Sequence, residues 1–118
     1  MGYYANSIES DFTVPAANFA AALAAVREVG GEGPTLSEAV FSITSFEDCA
    51  EDADGFVLGH HSDKFLSRTE EVLAALAPYA RDGSYVRFVG EDDSMFGFRV
   101  AGGKLATEYG TVDWKLER

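Results

Sequence analysis

The chain has a single cysteine, Cys49, which excludes an intrachain disulfide and any multi-cysteine zinc site and fits a reducing compartment. Bases are scarce: 9 Lys+Arg stand against 20 Asp+Glu, a formal charge of −11. Unassisted binding to nucleic-acid phosphates or to anionic lipid is disfavoured at that charge. No apolar run approaches the roughly 18 residues that a bilayer span needs, and the opening residues show no basic region followed by an apolar one. Neither insertion nor secretion is signalled, and the expected location is the cytoplasm. Nucleophile signatures are missing too, since no serine sits in a G-x-S-x-G or S-x-x-K pattern. The glycines Gly30-Gly31-Glu32-Gly33-Pro34 lack the Lys-Ser/Thr pair of a phosphate loop.

What is present is 118 residues, 47% hydrophobic and 13% aromatic. That is too apolar for a disordered acidic tail, and the length suits one domain over residues 1–118. The charge is uneven: from Glu28 to Asp63 nine acids occur with no Lys or Arg. A field of one sign speeds encounter with a basic partner and repels polyanions.

Residues 3–14 read as extended, and Pro15 then occupies a position where a first helical turn tolerates a missing N–H. Over residues 16–29 Phe19, Leu23 and Val26 mark one helical face, with Gly30-Gly31 as the stop. Thr35-Leu36-Ser37-Glu38 matches a capping box and predicts a short helix to about residue 43. Residues 46–49 and 56–58 read as a central hairpin around the turn at Asp54-Gly55. Asp63 is placed to cap a helix over residues 64–80 that breaks before Pro78. Residues 85–89, 95–100, 105–109 and 112–116 read as a meander. Alternation puts Phe96, Phe98 and Val100 on one face and Met95, Gly97 and Arg99 on the other. Strands grouped in consecutive runs predict an α+β fold. A mostly antiparallel sheet is expected, with two main helices and one short helix packed on one face.

Residues 49–61 invite comparison with a calcium loop and fail it. Aligning Gly55 to the sixth position puts Ala50 at the first and His61 at the twelfth, where carboxylates are obligatory. Adjacent histidines on a strand point to opposite faces, so His60 and His61 cannot both enter one pocket, and no metal-ligand spacing joins them. No metal and no cofactor is expected. Either histidine beside Asp63 is the remaining acid–base candidate. Cys49 is flanked by acids that raise a thiol pKa and reads as half-buried and inert.

Several passages resemble small acidic proteins of actinobacteria and their viruses. They are Met1-Gly2-Tyr3-Tyr4, Asp11-Phe12-Thr13-Val14-Pro15, the run from Ala75 to Val86, Gly90-Glu91-Asp92-Asp93, Gly103-Lys104 and Tyr109-Gly110-Thr111-Val112-Asp113-Trp114. The resemblance covers most of the chain except the middle and implies a viral or mobile-element setting; it carries over no catalytic residues.

The expectation is therefore a nonenzymatic interaction protein of the inhibitor or immunity type, binding a protein partner with a basic or nucleic-acid-binding surface. Its charged residues would be Glu47, Asp48, Glu51, Asp52 and Asp54, with Phe46 and Phe56 as apolar anchors. The alternative is a small ligand-binding domain or enzyme using His60 or His61 with Asp63. A homodimer through a sheet edge or aromatic face is a further possibility.

Overall fold

The computed structural model describes residues 4–44, 46–64 and 67–110. Strand β1 (Tyr4–Asp11) is followed by β2 (Thr13–Pro15), a 3-10 turn at Ala16–Asn18, and helices α1 (Phe19–Glu28) and α2 (Leu36–Ile43). Short strands β3 (Phe46–Glu47), β4 (Ala50–Glu51) and β5 (Gly55–Val57) lead to β6 (His60–Lys64). Helix α3 (Ser67–Leu76) precedes the meander of β7 (Tyr85–Gly90), β8 (Met95–Ala101) and β9 (Lys104–Gly110).

The main sheet runs β3-β6-β1-β7-β8-β9, and a second sheet runs β2-β5-β4. Every described pairing is antiparallel. The fold is α+β with a C-terminal meander, as the grouping of strands predicts.

Alternation in the meander decides which side is covered. Val86, Phe88, Phe98 and Val100 are buried, while Tyr85, Arg87 and Arg99 face outward. The helices supply Ala22, Val26, Leu36, Val40, Val72 and Leu76 to the same core, all essentially without exposure. Each large apolar side chain so enclosed contributes about 1.5–3 kcal/mol. On the solvent side, Arg87 pairs with Glu9 and Arg99 with Glu108, and both guanidinium groups lie over the Tyr85 ring at 4.9 and 4.8 Å. Arg87 and Arg99 on this face are thus already matched by carboxylates.

Four local expectations are revised. The first extended stretch is two strands in different sheets, because Phe12 turns fully into the core between them. The central hairpin joins β4 to β5, since the chain kinks at Asp48 (φ 61°) and β3 pairs with β6 instead. The first helix begins three residues late, after the 3-10 turn. Asp63 does not stand at a helix start: it lies within β6, opposite Ala5, where pairing with β1 overrides the local helix signal. The break before Pro78 occurs where predicted, with α3 ending at Leu76 and a 3-10 turn following at Ala77–Tyr79. The expected strand over residues 112–116 lies outside the described residues.

Candidate protein-interaction surface

Helix α2 and the β3–β4 turn form the walls of the candidate surface. The hydroxyl of Thr35 accepts a hydrogen bond from the Glu38 amide at 3.2 Å, fixing the start of α2. A second acceptor arrives from β4: Oε1 of Glu51 accepts from the Ser37 amide at 3.0 Å and from its hydroxyl at 2.9 Å. A carboxylate at a helix N-terminus satisfies an orphan N–H and complements the dipole. Glu51 thereby locks β4 against α2.

Leu36, Ala39, Val40 and Ile43 occupy the i, i+3, i+4, i+7 stripe of α2 and turn toward the core; the first three are buried. Phe41 stands one residue off that stripe and is 55% exposed. With Ser37, Glu38, Phe46, Glu47, Asp48 and Cys49 it lines a groove of about 540 Å³. Three carboxylates therefore ring an exposed aromatic side chain. Among the described residues, the ion pairs lie elsewhere and none engages Glu38, Glu47 or Asp48.

The five predicted acids do not share one groove. Glu47 and Asp48 border the Phe41 groove, and Glu51 is held by Ser37. Asp52 and Asp54 line a separate cleft of about 240 Å³ with Val57 and Arg81. Asp52 is itself a turn residue, its Oδ1 accepting from the amides of Asp54 at 2.8 Å and Gly55 at 3.1 Å.

Phe46 and Phe56 require correction as surface anchors. Both are 0% exposed, because their strands direct them into the core. The exposed apolar residues of this region are Phe41 and Val57 instead. Phe41 was legible from its offset to the helical stripe; Val57 was not, because Phe56, Val57 and Leu58 are all apolar and do not show which face is buried.

Cys49 is half-buried, and its Sγ accepts from the Gly59 amide at 3.2 Å. Burial pushes its thiol pKa up, the nearby charges of Asp48 and Glu51 add to the rise, and the Gly59 hydrogen bond opposes it. The strands here approach closely, for a Cβ on Gly59 would overlap the Glu47 carbonyl oxygen.

The two histidines occupy different settings. His61 is fully buried in an aromatic row, 5.1 Å from Phe46 and 5.5 Å from Phe88 between ring centroids, with Nδ1 2.8 Å from the Ala5 carbonyl. His60 is exposed, its Nδ1 3.2 Å from Ser7 Oγ beside a shallow cleft of about 230 Å³. Ser7 Oγ also accepts from the His61 amide at 2.9 Å. Asp63 is placed here by its backbone alone, across from Ala5. Among the described residues no three His, Cys, Asp or Glu side chains gather as a metal site, and no helix is long and apolar enough to cross a membrane.

Comparison with protein-family models, with curated proteins and with solved structures finds no match to this chain.

Proposed function

We propose that the chain is a nonenzymatic, cytoplasmic interaction protein that binds a protein partner with a basic surface through the groove between α2 and the β3–β4 turn. One observation carries this reading: exposed Phe41 stands in a groove rimmed by Glu38, Glu47 and Asp48, within a stretch that holds no Lys or Arg from Glu28 to Asp63. An aromatic anchor inside a single-sign rim combines the two ingredients of a protein hot spot, apolar burial and electrostatic steering. A Lys- or Arg-bearing surface complements it, and an inhibitor or immunity-type protein masking such a surface is the form this function takes.

The test is capture from lysate of the source organism at low and high salt, using the wild-type chain, Phe41→Ser and the double variant Glu47→Gln/Asp48→Asn. A basic protein retained at low salt, released at high salt and lost from both variants supports the reading. Identical captures by all three chains, or retention indifferent to salt, contradict it.

A second reading, a small enzyme or ligand-binding domain, draws on the hydroxyl–imidazole contact of Ser7 with His60. Incubation with an activated ester tests it. Acylation lost in both Ser7→Ala and His60→Gln favours that reading, and no covalent adduct removes it.

A further inference from the structure

The main sheet ends on β9, which among the described residues pairs with β8 alone. Hydrogen bonds two strands away fix which of its backbone groups face outward. The Val100 amide donates to the Ser84 carbonyl, and the Val100 carbonyl accepts from the Gly83 amide, so both groups of Val100 are directed away from β9. Leu105, opposite Val100, is therefore in a non-hydrogen-bonded pair and turns its own N–H and C=O to the open edge. Alternation along the strand gives Thr107 and Tyr109 the same outward-facing backbone. Edge strands are ordinarily blunted by a bulge, a proline or an inward-pointing charge. Strand β9 has none of these: it pairs with β8 in unbroken register from Lys104 to Gly110, contains no Pro, and places Leu105, Thr107 and Tyr109 on the inner face. The opposite edge, β3, is only two residues long.

We infer that β9 pairs antiparallel with β9 of a second copy of this chain, about a two-fold axis through Thr107. The outward-facing residues are spaced evenly about that position. A two-fold there sets Thr107 opposite its own counterpart and Leu105 opposite Tyr109 of the second copy, and each such pair exchanges two N–H···O bonds. Tyr109, 80% exposed in the single chain, gains an apolar cross-strand neighbour in Leu105 of the second copy. Charge favours this edge as the place of contact. Two copies at −11 each repel, whereas β9 carries one Lys and one Glu, and Glu108 is matched by Arg99 at 2.7 Å. On the outer face the register puts Ala106 opposite Glu108 of the second copy and Lys104 diagonal to that carboxylate, so like charges do not oppose.

Sedimentation equilibrium of the wild-type chain from about 1 to about 500 μM tests this, with the mass expected to rise from monomer to dimer. Thr107→Pro removes a central N–H that faces away from β8, so it should raise the dimer Kd at least about tenfold while leaving circular dichroism unchanged. Thr107→Cys in a Cys49→Ala background should oxidise to a disulfide-linked dimer, because the axis brings that position of the two copies within bridging range. Ala106→Cys in the same background lies off the axis and should not. Hydrogen exchange adds a readout at the edge itself: the amides of Leu105, Thr107 and Tyr109 should be protected at high concentration and lose protection on dilution. A monomeric mass throughout, a dimer indifferent to Thr107→Pro, or equal cross-linking at both positions overturns the inference. So does protection of these amides in a monomer, which would assign the edge to another part of the same chain. None of these readouts depends on the Phe41 groove.

Discussion

Glu51 and Glu47 lie four residues apart and have different physical duties. The Glu51 carboxylate closes the start of α2 through two hydrogen bonds from Ser37, so Glu51→Ala should lower stability by about 1 kcal/mol in urea titration. Glu47 is exposed on an edge strand, and Glu47→Gln should stay within about 0.5 kcal/mol of wild type. Cys49 supplies a pH test. Its folded pKa is raised by burial, so the fold favours the protonated thiol, and the stability it lends is intact below the thiol's ordinary value of 9.0. As pH rises past that value the unfolded chain ionises first and this stability is lost. Urea midpoints measured above pH 9.0 should therefore fall more steeply in wild type than in Cys49→Ala. Parallel pH profiles for the two would show that the thiol's surroundings do not perturb it.

Among the elements, α2 and the β3–β6 region show where local sequence informs and where it does not. The capping box, the helical stripe and the stop before Pro78 are backbone chemistry within a few residues, and they were legible. So was the meander over residues 85–109, whose period-2 pattern places Phe98 and Val100 in the core and Arg99 outward, although Met95, on the other face, is buried as well. Asp63 was misread because a cap signal is local, whereas β6 forms by pairing with β1 some sixty positions away along the chain. The anchors Phe46 and Phe56 were misassigned for a related reason: a short strand gives too few residues to show which face is buried. The region also depends on a close approach that sequence does not announce. Because a Cβ on Gly59 meets the Glu47 carbonyl, Gly59→Ala should cost about 1–3 kcal/mol. Its chemical shifts should move in the β3–β4 turn before any change in the meander. Phe41→Ser, by contrast, should leave the urea midpoint unchanged or slightly raised, since the side chain already faces water.

At the scale of the whole molecule, charge is paired in one place and left unpaired in another. The outer face sets Glu9, Arg87, Glu108 and Arg99 against one another, while the rim of the α2 groove holds carboxylates with no described ion pair. The sequence located this negative stretch but not its division: Glu51 and Asp52 secure backbone, and Glu47 and Asp48 join Glu38 around Phe41. That grouping depends on the packing of α2 against β4, which no spacing along the chain reveals. The account rests on the groove acting as an electrostatic docking surface, and the dissociation constant of the captured partner as a function of salt tests this most directly. Wild type should weaken steeply between about 50 and 500 mM salt, and Glu47→Gln/Asp48→Asn should bind more weakly with a shallower slope. Equal affinities and equal slopes for the two proteins would contradict it.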